Sequence, residues 1–226
     1  MAVMVSTDSA PFAGRAQTPG EEIANALSHG LGLLLALAAL PVLVTLAVQR
    51  GGAADITAAA VFGATMALLY AVSMLYHALP AGRAKQWFQR LDHAAIYVFI
   101  AGSYTPFVLG ALRGGWGWSL FGIVWGLAVL GVAAKLFNLL RHPLWSTALY
   151  VAMGWVVVIA AVPLAQRMPG PALAWLVAGG LAYTLGAVVF VFDNRLRYAH
   201  FAFHLFVMGG SACHFMAALG QFGLAP

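Results

Sequence analysis

Seven apolar stretches, at about residues 23–48, 55–79, 89–112, 116–138, 144–165, 171–192 and 199–220, fill most of this chain. Each is near the roughly 20 residues that a helix needs to cross the hydrocarbon core of a bilayer. Between them lie short runs rich in glycine, proline and charge: RGGAAD, LPAGR, LRGGWG, RHP, RMPGP and DNRLR. In hydrocarbon every backbone amide must be satisfied inside the protein, so apolar stretches of this length are confined to helices. Composition agrees, with 63% of residues hydrophobic and 8% charged, where a soluble domain carries roughly 25% charged residues. The expected fold is therefore all-α: a polytopic membrane protein built as a bundle of seven transmembrane helices. Residues 1–20 read as a flexible tail that lacks the apolar core and basic leader of an export signal. Residues 21–226 read as a single transmembrane domain without internal repeats.

The placement of lysine and arginine sets an orientation. With seven crossings, one side receives Arg15, Arg83, Lys85, Arg90, Lys135, Arg141, Arg195 and Arg197, and the other only Arg50, Arg113 and Arg167. Eight against three puts the N-terminus in the cytoplasm and the C-terminus outside. The net charge of +5 is dispersed in ones to threes, which fits topology signals rather than a nucleic-acid surface. The single cysteine, Cys213, leaves no disulfide within the chain. Several seven-helix functions are disfavoured as well. A retinal Schiff base needs a lysine buried in a helix, but Lys85 and Lys135 both fall near the cytoplasmic boundary. An HExxH protease needs glutamate after the first histidine, and Phe201 follows His200. An ion path needs a string of acids, and beyond Asp92 the stretches hold almost none.

Against this apolar background a few polar residues converge. The last stretch begins at the cytoplasmic face and places His200 and His204 in its first two turns. The second stretch ends there with Ser73 and His77, and the third starts there with Asp92 in its first turn. Residues four apart share one helix face, so His200 lies with His204 and Ser73 with His77. Two imidazoles on one turn and a third from a facing helix can supply three nitrogen ligands to Zn²⁺, leaving a fourth position for water. Such an ion lowers the pKa of bound water from about 15.7 to near 7. Asp92 is suited to take a proton from that water, and Ser73 to hydrogen-bond the water or an oxyanion. Each group also has an ordinary reading. A membrane histidine can bridge two helices, Asp92 can cap its helix or pair with Arg90, and Ser73 can be a packing residue. His214 reads as an interhelical hydrogen-bonding group about 15 Å above His204. Glu22, Asn25 and His29 share one face at the start of the first stretch. They suit either outer support of the ligands or a helix-start role.

Taken together, SMLYH in the second stretch, LDHAAIYVFIAGSYTP in the third, HFAFHLFVMGGSACHF in the last and EEIANALSHGLG in the first resemble the hemolysin III family of bacterial membrane proteins. That family is related to the progestin and adiponectin receptors within a wider superfamily to which membrane hydrolase activity is ascribed. The resemblance runs from Glu21 through nearly the whole remaining chain. It implies zinc at His77, His200 and His204, with Ser73 and Asp92 beside the bound water, and an inward N-terminus. Two functions are expected from different classes. One is a zinc-dependent hydrolase of lipid amide or ester bonds, ceramidase-like by analogy with distant relatives, acting in the cytoplasmic membrane of a bacterium. The other is a non-catalytic, receptor-like sensor of membrane state in which zinc is structural. Pore formation, suggested by the family's name, has little support from a chain without a lysine-rich amphipathic segment.

Overall fold

The computed structural model of the chain describes residues 15–140 and 142–222. Residues 1–14 of the expected tail, Arg141 of the charge count and residues 223–226 lie outside the described residues. The described residues are helical throughout, without strands. The helices are α1 (Pro19–Arg50), α2 (Ala53–Ala78), α3 (Arg83–Leu109), α4 (Gly115–Leu136), α5 (Pro143–Gly154), α6 (Ala161–Arg167), α7 (Gly170–Val191) and α8 (Ala199–Gln221). A 3-10 segment, Val156–Ala160, joins α5 to α6. Consecutive helices α1 to α4 pack side by side, α7 and α8 form a second hairpin, and α8 returns against α1.

Helix α1 begins at Pro19 because Thr18 caps it. The Thr18 hydroxyl accepts from the Glu21 N–H, while the Glu21 carboxylate accepts from the Thr18 N–H at 2.9 Å. This reciprocal box satisfies two amides that a helix start otherwise leaves bare. Arg15 adds an ion pair, donating from Nη1 to Glu21 Oε2 at 2.8 Å. Arg15 and Thr18 are thus bonded to the first turn of the helix.

Six of the described helical segments are long and apolar enough to cross a membrane, and α3 is not among them. The expected count of seven is not reached on this criterion, for a physical reason. From Asp92 to Leu109, α3 is buried along most of its length between its neighbours, so it needs no lipid-facing apolar surface. Gly102 allows the closest approach: a Cβ there would stand 1.9 Å from Thr65 Oγ1 on α2. By contrast α1, α4 and α7 turn large apolar side chains outward, among them Leu34, Leu130 and Leu185.

The fifth apolar stretch, expected as one continuous helix, is broken. Gly154 precedes Val156–Ala160, where the chain narrows to a 3-10 turn. Non-helical backbone at membrane depth must find partners in the protein, and Tyr104 of α3 supplies them. Its hydroxyl donates to the Gly154 carbonyl at 2.6 Å, also lies 3.1 Å from the Met153 carbonyl, and accepts from the Val157 N–H at 2.9 Å.

Candidate metal centre

The end of α2 and the start of α8 bring His77, His200 and His204 together, with one potential ligand atom of each within 4.8 Å of the others. Their ring centroids lie 4.7–5.1 Å apart, edge to face. Around a tetrahedral zinc with bonds near 2.05 Å, nitrogens stand about 3.3 Å apart. From 4.8 Å each ring reaches that spacing by moving less than about 1 Å.

The surroundings of the rings decide which nitrogen is bare. His77 Nδ1 lies 2.8 Å from Glu22 Oε2, and His200 Nδ1 lies 3.1 Å from Asp193 Oδ2. An ionised carboxylate only accepts, so each of these Nδ1 atoms carries the proton. His204 Nδ1 lies 3.0 Å from Ser28 Oγ, and the Ser28 proton is already given to the Asn25 carbonyl at 2.9 Å. Ser28 must therefore accept, which puts the proton on His204 Nδ1 too. With Nδ1 engaged in this way, each histidine in its neutral form presents an unprotonated Nε2, the form that binds a metal. His77 Nε2 is buried with no hydrogen-bond partner. This donor set fits a divalent ion such as zinc.

The outer supports differ in part from those expected. Glu22 holds His77, and its other oxygen pairs with Lys85 at 3.0 Å. Asn25 donates its amide to Gln17 at 2.6 Å and serves the site through its carbonyl, which fixes Ser28. His29 makes no hydrogen bond; its ring stacks on His204 at 3.5 Å. Ser28, Lys85 and Asp193 were not anticipated. Serine and lysine carry no distinctive signal alone, and Asp193 sits in a turn seven residues before His200, outside any helical periodicity. That turn is itself fastened: Tyr198, in a left-handed conformation at φ 59°, donates its N–H to Glu21 Oε1 at 2.9 Å.

Asp92 is the tenth residue of α3, since the helix begins at Arg83 and runs back into the polar segment before it. It is in the third turn rather than the first, which removes the capping reading. Arg90 forms no ion pair with it among the described residues and lies over the Trp87 ring instead. Buried Asp92 and Ser73 face each other without reaching hydrogen-bond geometry. Both line a cavity of about 490 Å³ that also receives His200 and His204. From there the cavity runs between α3, α5, α7 and α8 past Phe99, Phe107 and Val108 to Leu112. His214, expected to bridge helices by a hydrogen bond, has neither ring nitrogen bonded and packs edge-on to Phe107 and Tyr183. His142 is half-buried.

Residues 18–215 match the family described as Haemolysin-III related. The chain is 43% identical to Hemolysin-3 of Bacillus cereus over 199 residues, 88% of this chain and 90% of that one. It is 42% identical over 199 residues to a Hemolysin-3 homolog of Bacillus subtilis, 88% of this chain and 93% of that one. A more distant likeness, 27% over 166 residues, covers 70% of this chain and 67% of the human Monocyte to macrophage differentiation factor. No solved structure matches. With the match extending from the α1 cap into α8, this multi-pass integral membrane protein belongs to the Haemolysin-III related family.

Proposed function

We propose that the protein is a zinc-dependent hydrolase of lipid amide or ester bonds in the cytoplasmic membrane of a bacterium. The observation that carries this reading is the set of three histidines, each with Nδ1 engaged by a neighbour so that the neutral ring offers Nε2, beside a cavity that holds Asp92. His77, His200 and His204 would hold the ion. Zinc bound there supplies a Lewis acid able to activate water near neutral pH. Glu22, Ser28 and Asp193 keep the imidazoles aimed. Asp92 accepts the proton that the attacking water loses and delivers it to the leaving group. Ser73 donates its hydroxyl hydrogen to the oxygen of the attacked carbonyl. The cavity, within the range of small-molecule sites and walled largely by apolar side chains, suits an acyl chain entering from the bilayer.

The same reading makes α3 a seventh crossing. A helix sheathed by α2, α4, α5 and α8 can cross with fewer apolar residues than its lipid-facing neighbours. The N-terminus is then cytoplasmic, as the distribution of arginine and lysine indicates.

Metal content of the purified protein, measured beside hydrolysis of amide- and ester-linked lipids, tests the proposal. About one zinc per chain is expected by the fourfold geometry, lost in His77→Ala and His204→Ala. Asp92→Asn keeps the metal and lowers turnover by about 10²-fold or more. Folded wild type that takes up no metal removes the reaction's activating group. Zinc-loaded protein that cleaves neither lipid class leaves zinc with a structural or sensing role.

A further inference from the structure

Three arginines run against the charge bias of the loops, and the fold gathers all three. Arg50 ends α1, Arg113 lies in the turn after α3, and Arg167 ends α6. They line one cavity of about 310 Å³ at the end of the bundle opposite the histidines. Among the described residues Asp55 is the only carboxylate on its wall, so there three guanidinium groups face one carboxylate.

That one carboxylate is occupied. Both Asp55 oxygens accept from Arg113 Nη2 at 2.9 Å, and Oδ2 also accepts from the Gly52 N–H at 2.8 Å. Arg113 is further held by its Nε, which donates to the Leu109 carbonyl at 3.1 Å. Arg50 is held by Nη1, which donates to the Phe222 carbonyl at 2.8 Å. Two guanidinium groups are thereby fixed with donors to spare, since each carries five N–H bonds. Arg167 has no hydrogen bond or ion pair among the described residues. The remaining wall includes Leu43, Ala58, Ala59, Pro106 and Ala218. The cavity therefore pairs an excess of cationic donors with an apolar floor.

We propose that this cavity binds the phosphate of an anionic phospholipid, with the start of an acyl chain against Leu43 and the alanines. Guanidinium groups match phosphate oxygens in geometry as well as charge. Interfacial arginines in general attract headgroups diffusely; here two of the three are fixed in place, so binding is local and selective. A headgroup that adds its own ammonium, as phosphatidylcholine does, brings a fourth cation among three and is disfavoured. Free inorganic phosphate shares the recognised chemistry but leaves the apolar floor uncovered. The site is independent of the metal centre and of whether the protein hydrolyses lipid.

The test is lipid retention by the full chain in neutral detergent micelles doped with phosphatidylglycerol or phosphatidylcholine, read by native mass spectrometry. Wild type is expected to retain phosphatidylglycerol selectively. Arg50→Gln with Arg167→Gln weakens retention by about tenfold or more, the loss expected for charged hydrogen bonds. Arg83→Gln with Arg90→Gln, at the other end of the bundle, leaves it unchanged. Should the double variant fail to fold, Arg167→Gln alone serves, because Arg167 has no bond to another described residue to lose. The proposal is overturned if Arg167→Gln retains the lipid as wild type does, or if phosphatidylcholine is held equally well. Displacement of the lipid by excess inorganic phosphate, with saturable binding of phosphate alone, would replace the lipid with a soluble anion.

Discussion

Removing the Glu22 carboxylate tests the tautomer argument most directly. Glu22 Oε2 accepts the His77 Nδ1 proton at 2.8 Å while Oε1 pairs with Lys85. Without it His77 is free to rotate or to shift its proton to Nε2, which abolishes that ligand atom. Partners of this kind are typically responsible for 10–100-fold in metal affinity. The Glu22 side chain is 23% exposed, so water can replace part of the bond, and the low end of the range applies. Glu22→Ala should weaken zinc about tenfold, or ~1.4 kcal/mol. Glu22→Gln, which keeps an oxygen acceptor and loses the charge, falls between it and wild type. Lys85→Met provides the control. Lys85 donates to the Tyr76 and Leu79 carbonyls at the end of α2, so its loss lowers stability while leaving zinc affinity within about threefold, as for other partly exposed pairs. The assay is competition for zinc against a chelating dye at fixed pH, with a thermal melt for each variant. If Glu22→Ala binds zinc as tightly as wild type, or Lys85→Met loses as much, the carboxylate does not orient the imidazole.

Two predictions concern the helix framework and are read by thermal unfolding in detergent. Gly179→Ala puts a methyl 2.2 Å from His214 Cδ2 and 3.1 Å from the Gly210 carbonyl, and should destabilise the α7–α8 seam by about 1–3 kcal/mol. Gly126→Ala meets nothing within 4 Å, and should be neutral or gain about 0.4–1 kcal/mol; equal effects at the two glycines refute the packing argument. Tyr104→Phe leaves the Val157 N–H and the Gly154 carbonyl without their partner, at a cost of about 1–3 kcal/mol. An unchanged melting temperature for Tyr104→Phe means that the 3-10 break does not depend on that hydroxyl.

Where a breaker is local, the sequence shows the boundary. Gly51-Gly52, Gly114 and Pro169 all separate helices, and the histidine pair of α8 follows from i, i+4 spacing alone. What escapes local reading depends on another segment. The expected start of the third stretch falls six residues after that of α3 because RAKQWFQR is too polar for a lipid-facing span, yet no glycine or proline stops the helix between Arg83 and Asp92. The break after Gly154 is invisible because Val156–Ala160 is equally apolar as α-helix or 3-10 turn; its backbone is satisfied by Tyr104, about fifty positions away. His214 looks like a hydrogen-bonding residue by type, but Gly179 and two aromatic rings close around it and neither ring nitrogen reaches hydrogen-bond geometry.

The same contrast explains the construction of the candidate site. Its ligands come from two helices, but what fixes their protons comes from the first three turns of α1 and the turn before α8. The carboxylates Glu22 and Asp193 lie at helix ends and keep 20–23% of their side chains exposed. There the cost of an ionised group is far lower than at mid-bilayer depth. The imidazoles, which carry no charge of their own as metal ligands, sit just inside, with His204 1% exposed. Deeper still, the cavity beyond Asp92 is lined largely by apolar groups. Charge thus falls in steps from the rim through the ligands to the apolar interior. A polar group and a hydrocarbon chain of one amphiphile meet complementary surroundings along that gradient. Because the gradient needs α1, α2, α3 and α8 docked together, metal affinity and packing of the bundle should rise and fall together.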